Sequence, residues 1–119
     1  MTDLRNMNKE ENHIPLDLND CMRELDCMLC DSDKLNIENM SEEKFLAISH
    51  FRLGMWMRNS WKLWTGSRLS DYFYEQGIYH PDYMSSIILI SFSRFRKGLE
   101  LNTDELIRYY SNINTKRTD

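Results

Sequence analysis

The stretch that decides the fold is Leu53-Gly-Met-Trp-Met-Arg-Asn-Ser-Trp-Lys-Leu-Trp64, which holds all three tryptophans of the 119-residue chain. Ser41-Glu42-Glu43 upstream is a helix start, with acids where the helix dipole favours them. At about 100° per residue, most large apolar side chains that follow share one broad arc: Phe45, Leu46, Leu53, Trp56, Met57, Trp61, Leu63 and Trp64. The pattern predicts one helix over about residues 42–63, with the tryptophans in the core.

A smaller apolar patch, formed by Ile48, Phe51 and Met55, falls on the opposite side of this helix. A helix that is apolar on two faces is typical of the central element of a bundle. Gly54 within it indicates either the close approach of another helix or a kink. Because the chain has only four glycines and two prolines, helices are favoured over many tight turns. We therefore expect an all-α fold, a compact single-domain bundle of about five helices around this central Trp-rich helix.

The other helix boundaries follow from local start and stop signals. Residues 16–111 are predicted to form the helical domain, with residues 1–15 as a flexible N-terminal arm and residues 112–119 as a polar C-terminal tail. The expected boundaries, from capping residues and helix-ending glycines, are: a start at Asp17 or Asn19, a helix from Ser67 to Gly77, a helix from His80-Pro81 to Gly98, and a start at Thr103.

The charge of the chain is unevenly distributed. Residues 1–50 carry 5 Lys/Arg against 12 Asp/Glu, a net charge of −7, whereas residues 51–119 carry 10 against 7, a net charge of +3. The acidic part suits solvated helix faces or a basic protein partner, and it disfavours nucleic acid, whose phosphates need clustered cations. No secretory signal is visible and the longest uncharged apolar run, 83–93, is too short to span a bilayer, so we expect a cytoplasmic protein without membrane contact.

Residues for catalysis or metal binding do not form a recognisable set. Cys27-Met-Leu-Cys30 is a CxxC without a second ligand pair, so buried thiols on a helix explain it better than zinc. His50 is interpreted as a satisfied core histidine and His80 as a helix-start residue, and no base stands beside a nucleophile in a recognisable pattern. We expect no cofactor, no metal and no enzymatic activity.

Two groups of polar residues are candidates for contacts with a partner. Tryptophan, tyrosine and arginine supply most binding hot spots, so the polar residues beside the tryptophans of the Trp-rich helix are candidates for a binding site. The acidic group is Asp20, Glu24, Asp26, Asp31 and Asp33. The group beside the tryptophans is Arg58, Asn59, Lys62 and Arg68. Arg68 could instead bond carbonyls of the adjacent Thr65-Gly66 turn.

The block Leu53 to Leu69, then Tyr72-Phe73, then Gly77-Ile-Tyr-His-Pro-Asp-Tyr-Met-Ser-Ser-Ile-Ile-Leu89, resembles an uncharacterised family of small bacterial proteins. The resemblance covers roughly residues 16–108. That family is a domain of unknown function, so the resemblance implies no activity, cofactor or partner.

The function expected from these traits is a small cytoplasmic protein-binding inhibitor. Most concretely, it is an immunity- or antitoxin-like protein that neutralises a toxin by direct binding, for example a basic toxin domain that its acidic part attracts. One alternative is a self-associating structural module, whose oligomeric state the sequence leaves open. Another is a small-ligand or nucleotide-binding regulatory module, with a pocket lined by Arg58, Trp61, Trp64, Arg68 and Tyr72.

Overall fold

The computed structural model describes residues 13–118 of the chain, and the side chains of residues 13–113. Within that part every regular element is a helix, which confirms the all-α prediction. The seven helices of the described residues are α1 (Leu18–Met28), α2 (Asp31–Glu38), α3 (Glu42–Ser49), α4 (Leu53–Ser60), α5 (Arg68–Tyr74), α6 (Pro81–Arg96) and α7 (Thr103–Thr118). In the described region, no helix combines the length and apolar character that crossing a membrane requires.

The helices begin at the capping residues that the sequence predicted. The Asp17 carboxylate accepts the Asp20 N–H at 2.9 Å to begin α1, and the Ser41 hydroxyl accepts a backbone N–H to begin α3. Ser67 begins α5 with a reciprocal capping box. His80 begins α6 by accepting the Asp82 N–H on Nδ1 at 3.1 Å, just before a proline at the first helical position. The predicted helix starts are confirmed: each capping side chain bonds one of the first backbone N–H groups of its helix, which have no partner within the helix.

The central element is α6, against which each of the other six helices packs. Residues 84–93 of this helix are buried without interruption, and they include fully buried Ile87, Ile88 and Leu89 as well as four serines. A helix whose side chains are apolar or small all round can be covered on every side. The prediction of a central Trp-rich helix is therefore not confirmed, because α4 carries polar residues on one face and lies at the periphery of α6.

The helix predicted over residues 42–63 is two helices, α3 and α4, separated at residues 50–52. At the break the His50 carbonyl accepts a 3.1 Å hydrogen bond from Arg58 Nη2, a side-chain donor eight residues along the chain, and Arg52 leaves the helical region with φ −110° and ψ −86°. Of the tryptophans, Trp61 is in the core at 3% exposure, as predicted. The core prediction is wrong for Trp56 and Trp64, which are 40% and 55% exposed because no described helix covers them.

Arg58 fastens α4 to α6. It is 4% exposed, its Nη1 donates to the Ser85 hydroxyl at 2.8 Å, and its Nε lies 3.4 Å from an Asp82 carboxylate oxygen. Gly54 gives this side chain room, since a Cβ there would lie 3.0 Å from Arg58 Nη1 and 3.6 Å from Leu89 on α6. Of the two roles predicted for the glycine, the structure shows the close approach of α6, together with space for the guanidinium.

Parts of both predicted terminal segments lie within the described residues. Residues 1–12 of the predicted arm lie outside the described residues. Ile14 and Pro15, also assigned to the arm, are buried, and the Ile14 carbonyl accepts a 2.7 Å hydrogen bond from Arg68 Nε. Arg68 thus holds the start of the described chain. At the other end, α7 continues to Thr118, through the segment predicted as a polar tail.

Candidate functional site

Several acids of the N-terminal part are bound by cations of α6. Arg96 donates from Nη1 to Asp26 at 2.7 Å and from Nη2 to Glu38 at 2.6 Å. Arg94 donates to both carboxylate oxygens of Glu42, at 2.9 and 3.0 Å, and this bond raises the pKa of the guanidinium. These charge-assisted pairs join α1, α2 and α3 to the end of α6. Part of the acidic surplus therefore holds the bundle together, and Asp26 is not a free contact residue.

The other acidic candidates differ in their partners. Asp20 accepts the Leu16 N–H at 3.0 Å and an Arg23 donor, and the Leu16 hydrogen bond lowers the pKa of its carboxyl. Asp31 is fully exposed and lies 3.9 Å from Lys34. Asp33 is exposed on α2. Lys34 Nζ lies 3.7 Å from Asp26 and 3.9 Å from Asp31, so these two acids face the same cation, whereas Asp20 is bonded at the start of α1.

Three of the predicted residues, Glu24, Asn59 and Lys62, do come together in a groove of about 530 Å³ between α1 and the end of α4. Trp56, 40% exposed, packs edge-to-face on buried Trp61 with the ring centroids 5.4 Å apart. We call this cavity the Trp56 groove. Its lining residues are His13, Glu24, Met28, Trp56, Asn59, Ser60, Trp61 and Lys62.

Lys62 occupies a backbone conformation that favours glycine. Its φ is 55°, in the left-handed region. The Leu63 N–H donates to the Arg58 carbonyl at 3.0 Å, and the Lys62 N–H donates to the Asn59 carbonyl at 3.4 Å. These two hydrogen bonds form the Schellman motif, which ends a helix with a residue in the left-handed conformation.

The same closing pattern ends α5 and α6. There the left-handed residues are Gly77 and Gly98, with φ of 85° and 72°, as the sequence predicted for both helix ends. Glycine adopts this region without a Cβ penalty, whereas a lysine there is strained by roughly 1–2 kcal/mol. At the end of α4 the chain therefore keeps a long cationic side chain at a position where glycine would be easier to accommodate.

A second groove, of about 600 Å³, lies among α2, α3 and the start of α4. Phe51 directly precedes the lining residues Arg52 and Leu53, is 74% exposed, and packs its ring edge-on against His50 with the centroids 4.9 Å apart. The other two members of its apolar patch, Ile48 and Met55, are 50% and 46% exposed. The sequence predicted that this patch would be covered as part of a central helix, but no helix of the described chain covers it. We call this cavity the Phe51 groove. It is lined by Leu29, Asp33, Asn36, Ile37, Met40, Phe45, Ile48, Ser49, Arg52 and Leu53.

A row of aromatic rings connects Trp64, the start of α6 and α7. Trp64 contacts His80 at 5.9 Å between ring centroids, His80 contacts Tyr83 at 5.3 Å, Tyr83 contacts Tyr110 at 5.4 Å, and Tyr110 contacts Tyr109 at 5.0 Å. The His80–Tyr83 spacing is the local signal of this row. The other rings belong to separate elements, so the periodicity of the sequence could not predict that they lie next to one another.

The five residues assigned to a ligand pocket do not converge. Arg58 is buried with its donors directed at Ser85 and His50, and Arg68 is bonded to the Ile14 carbonyl. Of the five, Trp61 alone lines either groove. Among the described residues, no group of three or more His, Cys, Asp or Glu is placed to hold a metal ion.

Comparison with known families gives one match. A model described as a domain of unknown function, DUF6794, matches residues 14–96, from the buried start of the described chain to the end of α6. The comparisons with curated proteins and with solved structures gave no match. The matched region contains the whole Phe51 groove and all of the Trp56 groove except His13, whereas α7 lies beyond it.

Proposed function

Because the chain belongs to the DUF6794 family, a domain of unknown function, we propose its function from the surface it presents: it binds another protein at the Trp56 groove. The observation that carries the proposal is an exposed tryptophan beside a groove whose rim holds a lysine in a strained conformation. Strained backbone in a native structure is concentrated at binding and catalytic sites.

The composition of the groove suits a protein partner. Trp56 and Met28 are 40% and 43% exposed and offer a large apolar contact, of the kind that dominates interface energetics. Asn59, Glu24 and Lys62 surround them with an amide, an acid and a cation. An apolar centre with a polar rim is the usual anatomy of a specific interface. Trp56 would therefore supply affinity, and the three polar residues would fix orientation.

The finer form of the proposal is an immunity- or antitoxin-like inhibitor, acting in the cytoplasm of a bacterium and neutralising a toxin by covering its active surface. The exposed tryptophan with its polar rim supports this form, because such a surface suits the contact that a protein inhibitor makes. The net charge of −4, together with exposed Asp31 and Asp33, would speed the approach of a basic toxin domain.

Co-expression with the product of the neighbouring gene tests the proposal. We expect that product to arrest growth when expressed alone, and we expect this chain to restore growth and to copurify with it. Trp56→Ala should weaken the complex by about 2 kcal/mol or more, roughly thirtyfold, as hot-spot truncations do. Tyr109→Ala is the matched control, because this aromatic residue is 60% exposed and lines neither groove.

Two outcomes would contradict the proposal. In the first, the neighbouring product is harmless and no complex forms. In the second, a complex forms but Trp56→Ala and Tyr109→Ala bind equally well, which would move the interface away from the groove. Titration of the tryptophan fluorescence with nucleotides separates the ligand-binding alternative, which predicts a saturable change without any protein partner.

A further inference from the structure

The Phe51 groove suggests contact with a second copy of this chain. Phe51 is 74% exposed and directly precedes Arg52 and Leu53, which line the groove, so an exposed aromatic side chain adjoins the groove wall in the chain. When a projection and a cavity that can receive it lie side by side on one face, a two-fold axis between them lets each copy fill the cavity of the other. The volume of about 600 Å³ is ample for a phenyl ring.

The charges of this groove are also self-complementary. Its lining contains one acid, Asp33 on α2, and one strong base, Arg52 before α4. Both are exposed, and within the described residues neither side chain has a hydrogen bond or an ion pair. This contrasts with Arg94 and Arg96, which are both paired with acids. A two-fold axis would set Arg52 of each copy against Asp33 of the other, so both ion pairs form at once.

We propose that this chain forms an isologous dimer in which Phe51 of each copy enters the Phe51 groove of the other and Arg52 pairs with Asp33. Ten residues line the groove, fewer than the roughly 20–30 per partner of a standard stable interface. We therefore expect a reversible dimer whose population rises with protein concentration. The inference goes beyond partner binding at the Trp56 groove, and the two grooves share no lining residue.

Sedimentation velocity of the full chain, over protein concentrations from about 1 μM to about 1 mM, tests the dimer. We expect a concentration-dependent shift from monomer to dimer. Phe51→Asp should weaken dimerisation by roughly a hundredfold or more, because each dimer loses two buried aromatic side chains. Tyr109→Asp, a control of similar exposure outside the groove, should leave the shift unchanged.

Charge reversal tests the pairing itself. Asp33→Arg alone and Arg52→Asp alone should each weaken the dimer by about tenfold, because each places like charges against each other twice per dimer. The double variant should recover most of the wild-type association, since opposite charges face each other again. Circular dichroism of every variant shows that the fold is kept.

Three results would overturn the inference. One is a wild-type monomer at every concentration. Another is a dimer that Phe51→Asp does not weaken. The third is a double charge reversal that dissociates as readily as the single ones, which would remove the assigned pairing. Binding of a separate toxin partner at Trp56 is unaffected by any of these results, so the dimer and the proposed function fail independently.

Discussion

Replacing Lys62 by glycine should stabilise the fold while it weakens partner binding. The backbone of Lys62 has φ 55°, and relief of that conformation contributes roughly 1–2 kcal/mol. Glycine also gives the unfolded chain more freedom, which offsets about 0.5–1 kcal/mol of the gain. The net expectation for Lys62→Gly is a stabilisation of about 0.5–1 kcal/mol.

Urea unfolding, monitored by far-ultraviolet circular dichroism, measures this change directly. We expect a higher midpoint with an unchanged slope, because the surface exposed on unfolding is the same. For a chain of this length the shift in melting temperature is about 2–4 °C. The ammonium group of Lys62 is lost from the Trp56 groove, so the complex with the partner should weaken in the same variant.

Two matched variants separate the backbone effect from the side-chain effect. Lys62→Ala removes the ammonium group and keeps a Cβ in the left-handed region, so its stability should lie within about 0.5 kcal/mol of the wild type. Lys62→Asn should follow glycine in direction, because asparagine tolerates this conformation. Equal stability of the alanine and glycine variants would refute the strain at this position. Unchanged partner binding in both would remove Lys62 from the interface.

Three further perturbations test the packing. Gly54→Ala should destabilise by about 1 kcal/mol despite the better helix propensity of alanine, because its Cβ would lie 3.0 Å from Arg58 Nη1; thermal unfolding measures this. The pKa of Asp20 is lowered below its ordinary 3.8, so its contribution is present above about pH 4 and is lost on acidification; urea unfolding at neutral and acidic pH should show less acid sensitivity in Asp20→Asn. Burial raises the pKa of the Cys21 thiol, so native protein should react with a thiol reagent at its two exposed cysteines and at the third after denaturation.

The helix boundaries that the sequence predicted correctly depend on contacts within a few residues. A side chain caps the start of three helices by accepting a backbone N–H two or three residues ahead, at Ser41, Ser67 and His80. Gly77 and Gly98 end helices at positive φ, where glycine has the lowest conformational energy. Such signals can be recognised in the sequence because the capping residue and the backbone group that it bonds lie within the same few residues. Helical class and most boundaries could therefore be predicted before any tertiary contact was known.

The interruption between α3 and α4 could not be predicted in that way. Helical periodicity continues through residues 50–52, and at the break Arg58 reaches the His50 carbonyl while Ser85 on α6 binds the same guanidinium. The exposure of Trp56 has a similar origin, since a helical wheel gives the direction of a side chain but not what lies opposite. In the candidate site, Asn59 and Lys62 could be predicted from their place beside the tryptophans. The approach of Glu24 from α1 required the tertiary structure.

The uneven charge of the sequence acquires a different meaning once the fold is known. Arg96 bonds Asp26, 70 residues away, and Arg94 bonds Glu42, 52 residues away, so acids of the first half neutralise cations at the end of the central helix. Half-buried pairs of this kind orient helices, and each adds modest stability. At long range a partner therefore meets the net charge of −4 of the whole chain, and not the −7 of residues 1–50. Affinity must then come mainly from short-range contact, and the exposed rings of Trp56 and Phe51 are the side chains best placed to provide it.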